Sequence, residues 1–582
     1  MPSRSGPVHV VTTTRRYGDK VYKTHLLRRS YRDGATVRNE TLGNLSHLPD
    51  TLIDLIRRSL KGETFIPATQ AFEVVSSRPH GHVQAVMRAI HRLDIPALLG
   101  AKRTRERDLA VAMVAARVLA PHTKLATVRW WDNTSLPRVA GVDGADEQEL
   151  YAAMDWLLER QDKIQKKLAD RHLRPGAMAL YDLSSSYYEG ATCPLAQRGY
   201  SRDGKRGTLQ VNYGLLTDQR GCPVAISVHP GDTADPATFG PEVERMKAQF
   251  AIDQFVMVAD RGMISQKAVE QLKSQDHVDW ITALKTVSIR ALVENGDVQL
   301  DLFDERDLFE VCAPDYPGER LIACRNPQLA GLRAHKREAL LAATEANLAK
   351  IQARVAAGRL DGSDRIGVAV GKIINQYKVA KHFVLTIKDD SLDFSRDLPR
   401  IAAEAALDGV YVIRTSLPTE RMTGPDCVRA YKRLATVERA FRTMKSVDIR
   451  IRPIHHRLAD RVRSHIFLCM LAYYVEWHMR QAWLPLMFTD EDQDARITRD
   501  PVAPAQRSQA CLDKVNRRQL DDGSPVHSFA TLLDELATIT QNSCRSPATV
   551  TDDADQAPTF ELTTIATPHQ QRAFDLIETI AL

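Results

Sequence analysis

The stretch AMALYDLSSSYYEG, residues 177–190, decides how the middle of this chain is read. Apolar and aromatic residues run unbroken from Ala177 to Tyr181, and a carboxylate, Asp182, follows directly. A run this short, opened by Pro175-Gly176 and passing into small polar residues, fits a buried strand better than a helix. Working outward, GYSRDGKRGTLQ (199–210) reads as a polar hairpin-like stretch, and 211–216 and 224–228 as two more strands. Helical signal over 236–251 leads to FVMVA (255–259), a fully apolar run ending in Asp260. An amphipathic helix near 265–274 and a strand at 279–284 complete the series. Three strands, a helix, a strand, a helix and a strand predict an α/β layered domain, with helices packed on a mixed sheet.

The flanking regions divide by pattern. Residues 1–75 form a basic, β-rich domain, with Tyr, Val and Thr between turn signals at Gly18-Asp19 and Asp33-Gly34. Residues 76–172 are helical, with apolar residues recurring at three and four; Trp130 and Trp131 there are read as core. The α/β core occupies 173–288 and 406–485. An α+β insertion at 289–405 separates the two parts, and 486–582 is a C-terminal region. That last region holds an acidic loop (489–496) and a linker rich in Ser, Thr and Asp (543–558).

With 582 residues, 43% hydrophobic and 26% charged, the composition is that of a globular protein and excludes a disordered or fibrous chain. The net charge is only +6, but it is unevenly spread. Residues 1–60 carry eleven Lys/Arg against five Asp/Glu, and residues 421–463 carry twelve against four. Local basic surfaces of this kind suit a polyanion such as nucleic acid. On the N-terminal hairpins a solvated basic face is an equal alternative. Eight cysteines without a C-x-x-C pair argue against structural zinc and a disulfide framework, and for a reducing cytoplasm. The N-terminus lacks a signal-peptide apolar block, and the longest apolar run, IFLCMLAYYV (466–475), is too short to span a bilayer. It reads as a core helix, and no membrane role is expected.

Three carboxylates stand where they need a reason. Asp182 on an apolar strand is costly unless neutralised or metal-bound; taken alone, an Asp capping a turn onto Ser184–Ser186 is the better account. Asp260 ends an apolar strand, where ligands collect in α/β sheets, although pairing with Arg261 is a plainer account. Glu438 lies in AYKRLATVERAFRTMKSVDIR beside an apolar stripe of Leu434, Val437, Phe441 and Met444. Tyr431, Glu438 and Lys445 are spaced by almost two turns, and Arg442 sits one turn beyond Glu438. A Glu438–Arg442 surface pair is the plainer account here. Together, two strand-borne Asp and one helix-borne Glu make a hard oxygen set suited to two Mg²⁺ or Mn²⁺ ions acting on a phosphate.

These blocks resemble the DDE transposases of bacterial insertion sequences, in the branch with a Tyr–Arg–Glu–Lys signature. The likeness is carried by YDLSSSYYEG, by residues 200–239, by FVMVADRGMIS, and by DGVYVIRTS followed by YKRLATVERAFRTMKS. Tyr431, Glu438 and Lys445 keep the signature spacing. Leu434 stands in the Arg slot, with Arg433 one place earlier and Arg442 one turn later. The resemblance implies an RNase H-like mixed sheet with flanking helices, in which Asp182, Asp260 and Glu438 are catalytic and bind two Mg²⁺ or Mn²⁺ ions. It implies cleavage of double-stranded DNA at element ends and strand transfer into target DNA, by a homodimer on DNA in a bacterial, nucleoid-associated cytoplasmic setting. Tyr431 and Lys445 would contact phosphate. Arg442 and Arg433 are further DNA-binding candidates, as are Arg202 and Lys205, with Arg206, in the D-G turn of SRDGKR.

Two other functions fit the same residues: an RNase H-fold nuclease without strand transfer, and a catalytically silent transposase-derived DNA-binding protein. GVAVGK (367–372) lacks the spacing and the Ser/Thr of a phosphate loop, so ATP use is not expected. His455 and His456 precede Arg457 on a basic stretch and read as surface or phosphate-contacting residues rather than metal ligands.

Overall fold

The computed structural model describes residues 5–63, 65, 71–205, 207–275, 277–304, 307–492, 500–503, 506–545 and 559–581. Arg206, residues 493–496 of the acidic loop and 546–558 of the linker lie outside the described residues. The chain forms two units, one of residues 1–77 with 541–563, the other of 78–540 with 564–582.

In the first unit, β1 (Val8–Tyr17), β2 (Lys20–Asp33) and β3 (Thr36–Asn44) form an antiparallel meander. Its two tight turns use Gly18 and Gly34 at φ +60° and +62°, a conformation open to glycine at little cost. The helix Asp50–Leu60 is tied to the meander at its first residue: Asp50 accepts from Lys23 at 2.9 Å and lies 3.2 Å from His25.

The second unit is built on a mixed eight-stranded sheet. β4 (Glu73–Pro79) leads into it. Its strands are β5 (Met178–Tyr187), β6 (Gln210–Asp218), β7 (Pro223–Pro230), β8 (Phe255–Ala259), β9 (Val278–Ala283), β10 (Leu308–Val311), β11 (Arg320–Arg325) and β14 (Val410–Thr415). The order is β10-β11-β14-β9-β8-β5-β6-β7. β5, β6 and β7 are antiparallel, β8 runs parallel to β5, and β9 runs parallel to β8. The first five core strands thus lie in the order three-two-one-four-five, the RNase H-like arrangement. Register sets the site: Asp182 pairs with Leu215, and Tyr181 pairs with Ala259, the residue before Asp260.

The sheet extends further than the sequence suggests. β10 and β11, read as parts of an insertion, add to the main sheet through β14. The remainder, the helix Pro327–Ala356, the helix Ser363–Ile374 and the hairpin of β12 (Phe383–Ile387) and β13 (Leu392–Arg396), has an apolar core of its own. GVAVGK lies within one of those helices rather than in a loop.

The apolar run at 466–475 belongs to the helix Ala459–Ala482, buried along nearly its whole length as a core helix should be. Helices Gly81–Arg92, Arg105–Leu119 and Glu147–Leu158 pack around it. Trp131 is buried and Trp130 half-buried. Among the described residues, no single helix is long and apolar enough to cross a membrane. Returning to the first unit, β15 (Thr540–Arg545) pairs with β16 (Thr559–Thr563) and with β4, joining the C-terminal region to the N-terminal one in a three-stranded sheet.

Gly214 on β6 opposes Leu183 and lies under Tyr181, where an added Cβ would fall 2.1 Å from the phenol oxygen. Tyr181 is fully buried and has no room to retreat. Gly214→Ala is expected to cost about 3 kcal/mol by overpacking, measured by urea denaturation.

Candidate active site

The three acids predicted from the sequence line one cleft of about 460 Å³. Asp182 is half-buried in the middle of β5, with its Oδ1 accepting from the Leu183 amide at 2.8 Å. It caps no turn. Asp260 is the first residue after β8 and is exposed; its Oδ1 accepts from the Tyr431 hydroxyl at 2.9 Å. Glu438 is exposed on the helix Leu434–Arg442. Burial holds the Asp182 carboxyl up at about 7, and the charges of Asp260 and Glu438 push it the same way. Burial and the Asp260 charge likewise raise Tyr431 well above an ordinary phenol.

Two further carboxylates enter the cleft, and the sequence reading did not single them out. The Asp203 side chain is 1% exposed and pairs with Lys445 at 2.8 Å and Arg452 at 2.6 Å, while its other oxygen accepts from the Tyr187 amide at 3.0 Å. Asp235 pairs with Arg202. Asp182, Asp260 and Glu438 differ from these two: among the described residues, no Lys, Arg or His forms an ion pair with any of them. The plainer pairs, Asp260–Arg261 and Glu438–Arg442, are not formed. A half-buried carboxyl beside two unpaired like charges is unfavourable until it is neutralised. Among the described residues lining the cleft there is no His or Cys, so the donors suit a hard divalent ion such as Mg²⁺ or Mn²⁺.

The helix expected over 426–447 is divided. It runs as Gly424–Lys432 and Leu434–Arg442, meeting at Arg433, and ends in a π turn, Thr443–Val447. Leu434, Val437, Phe441 and Met444 are buried as the stripe predicts. Lys445 sits on the π turn and is drawn inward to Asp203, and burial lowers its pKa. Arg442 is exposed at the cleft without an ion pair among the described residues.

The other DNA-contact candidates are placed differently. Arg433 donates to the Gln219 side chain at 3.1 Å, in the β6–β7 turn. Lys205 lies over the Tyr187 ring at 3.4 Å and does not line the cleft. Arg202 lines it, with its guanidinium 5.7 Å from the ring of Tyr200, which is 81% exposed. Residues 201–205 of SRDGKR are not the tip of a simple hairpin. They belong to a longer connection between β5 and β6 that turns Asp203 inward. Tyr200, Asp203, Asp235 and Arg452 left no signal in spacing; an Asp beside three basic residues was the nearest clue. His455 is exposed, and His456 packs against the His465 ring at 5.1 Å.

The strand order is that of an RNase H-like core, and Asp182, Asp260 and Glu438 line one cleft on it. The chain belongs to the transposase DDE domain family, whose model matches residues 184–475, half of its length. Residues 10–68 match the N-terminal domain of IS1634 family transposases, and the chain is a DNA transposase of the insertion-sequence type. The family brings nuclease and transesterase chemistry, a general use of divalent metal ions, and DNA as partner. Among solved structures, the chain is similar to the piggyBac transposase in a synaptic complex with hairpin DNA, at 9% identity over 78% of this chain and 77% of that one, with a TM-score of 0.32. No curated protein matches it.

Proposed function

We propose that Asp182, Asp260 and Glu438 are the catalytic acids and hold two Mg²⁺ or Mn²⁺ ions. The reaction is cleavage of DNA at the element ends followed by attack of the freed 3′-hydroxyl on target DNA. The observation carrying this reading is that these three carboxylates lack a cationic partner among the described residues, while Asp203 and Asp235 in the same cleft have one. When bound, the ions supply Lewis acidity at the scissile phosphate and lower the pKa of the attacking water. Asp182 gives up its proton to receive them. The Tyr431 hydroxyl orients Asp260. Arg442, exposed and uncommitted to an acid, contacts phosphate; Lys445, Arg452 and Arg202 add positive potential while paired. Arg433 and Lys205 belong to the outer DNA surface, and Tyr200 offers an exposed ring on which a displaced base can stack.

In this reading residues 1–75 and 76–172 grip the element end, and 173–288 with 406–485 form the core, whose sheet β10 and β11 of the intervening 289–405 extend. The working form is a homodimer holding two ends, at the nucleoid in the cytoplasm. The test is incubation of DNA carrying the element's inverted ends with protein and Mg²⁺, with and without chelator. Nicked ends joined to target DNA are expected; nicking without joined product would favour a nuclease.

The Asp182 shift sets a pH dependence. Its carboxyl is held at about 7 in the folded chain against 3.8 for the free group, so between those values the folded state binds more protons than the unfolded. Stability of the metal-free protein therefore falls as pH rises from about 4 to about 7. Asp182→Asn is expected to remove that slope and to be about 2 kcal/mol more stable than wild type at pH 8 in chelator. Saturating Mg²⁺ closes the gap. Urea midpoints across the pH range would check both.

A further inference from the structure

Outside the catalytic cleft, His527, Glu535 and His569 converge within the second unit. We propose that they form a binding site for a first-row transition metal ion, with zinc the best match, which staples the last helix of the chain to the helix Phe529–Ala537.

The three ligand atoms lie within 4.8 Å of one another. His527 directly precedes Ser528, the N-cap of Phe529–Ala537; Glu535 is on that helix; His569 is in the first turn of Pro568–Glu578. Glu535 follows His527 by eight residues and His569 follows Glu535 by thirty-four, a spacing that gave no hint of them.

Their hydrogen bonding singles them out. Both ring nitrogens of His569 are shielded from solvent and lack a hydrogen-bond partner. The His527 side chain is 10% exposed, and its Nδ1 lies 3.3 Å from the Thr531 hydroxyl. That hydroxyl accepts from the Ser528 amide at 2.9 Å and lies 3.2 Å from the Ser528 carbonyl; with its proton on that carbonyl it accepts from Nδ1–H, the tautomer that leaves the lone pair on Nε2. Nε2 lies 2.8 Å from Glu535 Oε2, yet without hydrogen-bond geometry. A lone pair, a carboxylate and an unpartnered imidazole facing one another are unfavourable without a cation between them.

Two imidazoles and one carboxylate are a donor set zinc takes, with a water as fourth ligand. Ligands 2.0–2.1 Å from a tetrahedral ion stand about 3.3 Å apart, between the 2.8 Å of the His527–Glu535 pair and the 4.8 Å that bounds the three ligand atoms. The surroundings are already tied: Gln570 Nε2 donates to the Glu535 carbonyl at 2.9 Å, and Trp483 donates to the Ala573 carbonyl at 2.9 Å. A second cluster, His172, Cys222 and His478, is also within ligand reach. Its atoms have partners, however: His172 bonds Tyr474 at 2.9 Å, and Arg220 stands 3.4 Å from the other ring nitrogen. It serves as the internal control.

The test uses the full chain carrying Asp182→Ala, Asp260→Ala and Glu438→Ala, which silences the cleft, stripped of metal and titrated with Zn²⁺ and separately Co²⁺. One tightly held zinc per chain, a rise in Tm with Zn²⁺, and the visible d–d bands of four-coordinate cobalt are expected. His569→Gln and Glu535→Gln, each checked by circular dichroism for a native spectrum, should weaken binding at least tenfold and abolish the Tm rise. Cys222→Ser should change neither. No bound zinc, binding unaffected by His569→Gln, or binding lost in Cys222→Ser would each overturn the proposal.

Discussion

Asp182→Asn is expected to lower chelator-sensitive cleavage of element ends by at least about a thousandfold while leaving end binding within about twofold. The change keeps shape and the Leu183 contact but removes the one carboxylate of the three that is set in the middle of a core strand. DNA affinity comes mainly from phosphate contacts by basic residues, none of which is touched. Gel-shift assays beside single-turnover cleavage would separate the two effects. Cleavage equal to wild type with binding retained would support the silent DNA-binding alternative.

Asp203→Ala should have the largest effect on folding of any substitution in the cleft. Asp203 neutralises Lys445 and Arg452 and caps the Tyr187 amide from a nearly closed position. Removing one partner of a buried ion cluster strands the others, typically at about 3–5 kcal/mol. Asp203→Asn keeps the amide contact and should recover part of that loss. Thermal unfolding with saturating Mg²⁺ would measure both, and a loss below about 1 kcal/mol would show that water screens the cluster.

The core was legible because its signals are local. An apolar run ending in a carboxylate marks β5 and β8, and alternation of three and four marks the stripe that buries Leu434 through Met444. Non-local pairing left no such mark. β4 meets β15 across most of the chain, and β10 and β11 look like any short strands until β14 returns beside them. The break at Arg433 was also hidden, because a helix interrupted for one residue keeps nearly the same apolar period. In the site, acids on predicted strands could be chosen, but which acids are neutralised depends on partners such as Arg452, reached only through folding.

The segment between β11 and β14 departs and comes back through adjoining residues: the Asn326 amide donates to the Gly409 carbonyl at 3.0 Å. Its two stems are thus clasped at the sheet border, and its interior apolar cluster is self-contained. Such a pendant can lengthen, shrink or be exchanged between lineages without moving the strand that ends in Asp260. The length of this segment is thereby decoupled from the geometry of the sheet that carries the cleft.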